Sequence, residues 1–173
     1  MTTTTSTTNL STTYKHSDVY GSKLLTLKKG NIEEVSDLSF LNNKMVLNWY
    51  GASWCPPCTQ LCGQLISMYN DLRKKGNNNF EIVFISSDND DLSMRAFVKD
   101  MRMPWYVMPF DDSRAPLKKK YGVTGIPTLI LVDANGEQVK SCPIRGNIDQ
   151  VKACLTPPNT VVPETSTTPV NTK

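Results

Sequence analysis

The sequence predicts an α/β domain: a central mixed β-sheet flanked by helices on both faces. Three observations predict it. Residues 44–50 and 80–86 are nearly continuous apolar runs of strand length, the pattern of strands covered on both faces. A segment of helical period lies between them, which makes a parallel β-α-β unit. Later in the chain, residues 128–132 and 137–141 flank Asp133-Ala134-Asn135-Gly136, where Asn-Gly supplies the positive φ angles of a tight antiparallel turn.

Residues 23–27 read as a first short strand, and residues 44–50 as a longer one that stops directly at a pair of cysteines. After that pair, Leu61, Leu65, Met68 and Leu72 recur at intervals of four, three and four, one face of a helix. Lys74, Lys75 and Gly76 end it with cations in the last turn and glycine just beyond. The strand at 80–86 follows. Asp90 or Asp91 can cap a helix reaching Met101, and Asp112 or Ser113 another reaching Tyr121. Pro104 and Pro109 break the chain between them. The hairpin and a final amphipathic helix over residues 147–155 complete the order.

With 173 residues and 39% hydrophobic content, the chain has enough material for one core. The expected organisation is a Thr/Ser-rich tail over residues 1–21, a domain over 22–155 and a Thr/Pro-rich tail over 156–173; both ends hold too few large apolar residues to offset the entropy of ordering. The first twenty residues lack the apolar centre of a secretory signal, and no apolar run reaches the length of a membrane span. A net charge of +3 leaves no broad basic field, so neither nucleic acid nor a membrane is an expected partner. Lys118-Lys119-Lys120 reads as a solvated helix face. Five cysteines without a signal point to reduced thiols with one reactive pair in the cytoplasm or nucleus.

That pair is Cys55 and Cys58 in Trp54-Cys55-Pro56-Pro57-Cys58. Residues three apart at a helix start bring two Cα atoms within disulfide range, about 4.4–6.8 Å. Cys55, just outside the helix, lies at the positive end of its dipole, which favours thiolate and makes it the expected nucleophile. Pro56 suits the first helical position and pushes Cys55 toward an extended backbone. Because both prolines lack N–H, the nearest backbone donors for the Cys55 sulfur are expected from Cys58 and Thr59. The chemistry is thiol–disulfide exchange: Cys55 attacks a disulfide, and Cys58 resolves the mixed disulfide. Gly125-Ile126-Pro127-Thr128 places a second proline at the start of a strand, where a missing N–H is tolerated.

The other reading of paired cysteines, half of a zinc site, needs more ligands than the chain offers. His16 is the single histidine, and Cys62, Cys142 and Cys154 form no second close pair. No metal and no bound cofactor are expected. Cys62 reads as a small buried helix residue, with an auxiliary thiol as the less common alternative. Cys142 and Cys154 read as inert structural or surface thiols. Trp49 reads as core; Trp105 fits either core or a contact surface.

Together, Ala52-Ser53-Trp54-Cys55-Pro56-Pro57-Cys58, the run Met103-Pro104-Trp105-Tyr106-Val107-Met108-Pro109-Phe110 and the run Tyr121-Gly122-Val123-Thr124-Gly125-Ile126-Pro127-Thr128-Leu129-Ile130 resemble the thioredoxin superfamily, in its tryparedoxin and nucleoredoxin branch. The resemblance implies a thioredoxin fold and a protein-disulfide reductase, with Cys55 attacking and Cys58 resolving. It also implies a cis Pro127 whose preceding backbone at Ile126 binds the substrate chain, with Trp54 bordering the site. Its expected partners are disulfide-containing proteins, with thioredoxin reductase or a low-molecular-weight thiol as electron donor, and a monomer is expected. The alternative function is a redox-dependent binding regulator of signalling proteins. Two positions depart from the pattern. Trp49 stands where many thioredoxins carry a buried Asp that assists proton transfer, and Thr59 follows the second cysteine where Arg is common in this branch.

Overall fold

Burial of the two apolar runs organises the molecule. The structure, a computed structural model, describes residues 16–142 and 147–156. Strand β3 (Met45–Gly51) has six of its seven residues buried and β4 (Phe80–Ser86) all seven, and they pair in parallel from Met45↔Phe80 to Gly51↔Ser86. Helix α2 (Pro56–Lys74) makes the crossover and buries Leu61, Cys62, Leu65, Met68, Tyr69 and Leu72. Gly76, at φ +79°, turns the chain after it, and its N–H donates to the Arg73 carbonyl at 3.0 Å. Arg73 then ties the helix end to the start of β4, donating to Glu81 Oε2 at 3.0 Å and to the Phe80 carbonyl at 2.8 Å.

The remaining elements in chain order are α1 (Ser17–Tyr20), β1 (Leu24–Lys28), β2 (Asn31–Val35), α3 (Asp91–Asp100), β5 (Tyr106–Val107), α4 (Arg114–Lys120), β6 (Thr128–Val132) and α5 (Ile148–Leu155). The six strands form one sheet in the order β2-β1-β5-β4-β3-β6. β3 with β4 and β4 with β5 are parallel; the other pairs are antiparallel. Alternate side chains of each strand feed two cores. Leu47, Trp49, Ile82 and Phe84 pack with α2, α3 and α5 on one face. Val46, Tyr50, Val83 and Ile85 pack with Tyr20 of α1 and Leu117 of α4 on the other. The expected mixed sheet with helices on both faces, a thioredoxin fold, is present.

Several expectations need correction. Regular structure begins before the expected boundary at residue 22: α1 carries Tyr20, 1% exposed, and its hydroxyl donates to buried Asn48 Oδ1 at 2.7 Å. Residues 1–15 and 157–173 lie outside the described residues. Two strands were not foreseen: the exposed β2, and the two-residue β5, which joins β1 to β4 from inside the proline-bounded run. Trp105, open between two readings, is core at 1% exposure, edge-on to Trp49 at 5.8 Å. The segment expected as a strand at 137–141 makes only the bridge Val132↔Gln138. Its turn uses one positive φ, at Gly136, while Asp133 Oδ1 accepts from the Asn135 and Glu137 N–H groups. The side chain thereby does work assigned to Asn135.

Candidate functional site

β3 delivers the chain to the site, and the start of α2 shapes it. Cys55 is the N-cap residue, with φ −109° and ψ 102°, and Pro56 and Pro57 fill the first two helical positions. The extended backbone expected before Pro56 is therefore present. Cys55 and Cys58 are joined as a disulfide with Cα atoms 5.2 Å apart. Trp54 is 59% exposed, Cys55 6% and Cys58 0%. An incoming group therefore meets Trp54 and Cys55 before Cys58.

The backbone donors differ from expectation. The N–H groups of Cys58 and Thr59 donate to the Cys55 carbonyl, at 2.9 and 3.2 Å, because the first helical turn closes on that carbonyl even with two prolines in it. The positive end of the helix still faces Cys55, but those two donors are engaged with its oxygen rather than its sulfur.

The opposing wall comes from the segment before β6. The Ile126–Pro127 peptide bond is cis, and Ile126 packs against the small cluster of Ala52, Cys55 and Cys58. Thr128 Oγ1 donates to the Gly125 carbonyl at 2.7 Å, bracing this loop. Pro127 and Pro57 face a common groove of about 720 Å³, lined as well by Gln60 and Gln64 of α2 and by Lys140 and Cys142. The structure thus brings together Trp54, Cys55, Pro56, Pro57, Cys58, Ile126 and Pro127, all singled out in the sequence.

A set of residues that sequence reasoning missed holds the loop before Cys55. Asp88, 6% exposed, accepts at Oδ1 from the Ser53 N–H at 2.8 Å and the Ser53 hydroxyl at 2.6 Å. Its Oδ2 accepts from the hydroxyl of buried Ser86 at 2.7 Å. Arg114, lying over the Phe110 ring, donates to the Ser86 carbonyl at 2.9 Å, and Lys118 to the Ser87 hydroxyl at 2.8 Å. Lys118 is consequently not part of a purely solvated run. Burial, with the Arg114 charge second, holds its ammonium below the ordinary lysine value. The available signal was position: Ser86 ends a buried strand and Ser87 and Asp88 follow it, at the carboxyl end where α/β sheets place their sites.

Trp49 fills the place of the proton-handling Asp with an indole packed on Phe84 at 4.5 Å. Cys62 is a free, fully buried thiol whose pKa burial pushes up to about 12, which fits the structural reading. Cys142 and Cys154 overturn the expectation of separate thiols: they form a second disulfide, Cα atoms 6.0 Å apart. Twelve residues of spacing carry no local signal, and only the return of α5 beside the segment after β6 brings them together. Among the described residues no group of three or more His, Cys, Asp and Glu side chains could hold a metal ion, and no described helix is long and apolar enough to cross a membrane.

Comparison with known proteins agrees with this geometry. A thioredoxin-like family model matches residues 42–138. Human nucleoredoxin is 38% identical over 103 residues, 58% of this chain and 23% of that protein; the chain spans about a quarter of the length of such curated relatives. Native tryparedoxin I from Crithidia fasciculata superposes with a TM-score of 0.60 at 35% identity, over 72% of this chain and 85% of that one. A tryparedoxin II complexed with glutathionylspermidine superposes with a TM-score of 0.60 at 27% identity, over 84% of this chain and 93% of that one. With the matched residues running from just before β3 through the turn after β6, and so holding both cysteines and the cis proline, the chain belongs to the thioredoxin-like family.

Proposed function

We propose that the protein is a protein-disulfide reductase in which Cys55 is the nucleophile and Cys58 the resolving thiol. The observation that carries this reading is the Cys55–Cys58 disulfide at the start of α2, its more exposed sulfur-bearing residue facing the wall built by Ile126 and cis Pro127. In the reduced form the helix dipole favours the Cys55 thiolate. That thiolate attacks one sulfur of a substrate disulfide; a mixed disulfide forms, and the other substrate sulfur leaves and takes a proton. Cys58 then gives up its proton, which balances the one taken by the departed sulfur, and its thiolate attacks Cys55 Sγ. The remaining substrate sulfur leaves as thiolate, and the Cys55–Cys58 disulfide holds the two electrons' worth of oxidation. Full burial of Cys58 keeps it from attacking outside molecules.

Substrates on this reading are disulfide-containing proteins whose chain lies against Ile126, Pro127 and Trp54. A low-molecular-weight thiol returns the enzyme to the dithiol, a choice supported by the tryparedoxin II complex with glutathionylspermidine; an NADPH-linked thioredoxin reductase is the competing donor. We place the protein in the cytoplasm and nucleus, working as a monomer without a bound cofactor. The test is insulin reduction with dithiothreitol. Wild type accelerates it and Cys55→Ser returns it to background; wild type at background overturns the reading.

The exposed Trp54 beside Cys55 favours a second reading, a redox-switched binding module. Cys58→Ser separates the two. A reductase lacking its resolving thiol accumulates covalent mixed disulfides that dithiothreitol releases, whereas a binding module keeps its partner without a covalent link.

A further inference from the structure

We propose that Cys142–Cys154 is a second thiol–disulfide site of this protein, opened and closed by low-molecular-weight monothiols, and that its state sets one wall of the groove beside Cys55–Cys58. The consequence for the groove rests on the reductase reading; the thiol chemistry does not.

The two ends of this bond are held very differently. α5 is anchored without it: Val151 and Leu155 are fully buried, and Asn77 Nδ2 donates to the Leu155 carbonyl at 2.7 Å. The segment bearing Cys142 has no strand of its own. It is held to the sheet by the bridge Val132↔Gln138, by the Asp133 N–H on the Glu137 carbonyl and the Val139 N–H on the Leu131 carbonyl, both at 2.9 Å, and by packing of Val139 and Cys142 against the core; the Cys142 N–H on the Val139 carbonyl at 3.2 Å only closes a turn within it. Opening the disulfide therefore leaves α5 in place and removes the covalent tie on the segment that carries Gln138, Lys140 and Cys142, which then rests on one bridge, two backbone hydrogen bonds and the packing of Val139 and Cys142. Those residues line the same groove as Pro57 and Pro127. A covalent tie from a fixed helix to a groove-lining segment that lacks a strand couples oxidation state to groove shape.

The accessible side of the bond is also defined. Cys154 is half-buried, while Cys142 is 8% exposed. A small thiolate attacks Cys154 Sγ, forming a mixed disulfide there and releasing the Cys142 thiolate, which takes a proton from water. A second small thiolate attacks the small-molecule sulfur of that adduct. This forms the small disulfide and releases Cys154, which is protonated in turn. In sum, one protein disulfide and two small thiols give two protein thiols and one small disulfide, with two electrons transferred.

The experiment uses the full chain and glutathione as the probe. The protein is equilibrated in mixtures from fully oxidised glutathione to a large excess of the reduced form, quenched with acid, alkylated and mapped by peptide mass spectrometry. The expected result is that Cys142 and Cys154 become alkylatable together as the mixture becomes reducing and close again when oxidised glutathione is restored, with the transient glutathione adduct on Cys154. The proposal is overturned if the bond persists in the most reducing mixture, if both cysteines are free in the most oxidising one, or if the adduct sits on Cys142. The double variant Cys142→Ser, Cys154→Ser then tests the groove in thiol-free buffer, with both proteins oxidised at Cys55–Cys58: the variant binds carboxymethylated insulin B chain severalfold more weakly than wild type, whose Cys142–Cys154 bond is closed. Equal binding by the two proteins overturns the coupling to the groove. Failure of wild type to reduce insulin overturns the reductase reading and leaves the peptide mapping to decide the second site alone.

Discussion

Asp88 reaches across 35 residues of sequence to hold the backbone and hydroxyl of Ser53, two positions before Cys55. Its other oxygen is spent on Ser86, which is fully buried. Removing the carboxylate leaves Ser53 exposed enough to find water, so the cost concentrates on the buried Ser86 hydroxyl. An unmet buried donor costs about 1–3 kcal/mol. Asp88→Ala is expected to lower stability by about 2 kcal/mol in urea unfolding and to slow insulin reduction, because the loop that presents Cys55 loses its brace. Asp88→Asn, which keeps one acceptor oxygen, recovers part of both. Unchanged rate in the Ala variant would mean that the loop is held by other contacts. The contrast with Cys55 and Cys58 explains what was legible: their geometry is local, set by three residues of helix, and two prolines beside them narrow the backbone further. Asp88 and the Cys142–Cys154 pair acquire their roles only through contacts that the folded sheet creates.

At the scale of elements, the two buried strands and α2 were legible because burial writes an uninterrupted apolar run or a helical period into the sequence. β2 was not, since its Asn31, Glu33 and Glu34 are exposed at a sheet edge and need no apolar pattern. β5 was hidden by its length, two residues between prolines, although it sits inside the sheet. The β1–β2 connection is a two-residue turn in which both Lys29, at φ 48°, and Gly30, at φ 82°, are left-handed. Such turns favour Asn-Gly, and a lysine there carries steric strain that asparagine tolerates better. Lys29→Asn is expected to stabilise the protein by roughly 0.5 kcal/mol, read as a raised urea midpoint at constant slope. A lowered midpoint would show that the Lys29 side chain contributes more than its backbone strain removes.

The whole molecule depends on two cores, and α1 closes one of them from a part of the sequence that looked like tail. His16, 1% exposed, stacks near Tyr20 at 6.1 Å. Burial is the largest influence on its imidazole and pushes the pKa below the usual 6.5; a hydrogen bond with the Lys44 backbone and the Asp133 charge act the other way. A depressed folded pKa means that the unfolded chain binds the proton more readily. The stability held by neutral His16 is thus fully present above 6.5 and is lost as pH falls through that value toward the folded one. Glu81 contributes with the opposite sign. Burial raises its carboxyl above the usual 4.5, with the Ile82 N–H and Arg73 opposing, so its share is lost as pH rises from there. Because His16 is the single histidine in the chain, subtracting a His16→Gln variant removes every other group from the comparison. Urea unfolding at about pH 7.5 and about pH 5.5 is expected to show wild type losing stability relative to the variant on acidification. Equal changes in the two proteins would mean that α1 opens before His16 is protonated, and that this face of the sheet is closed by Leu117 and its neighbours without it.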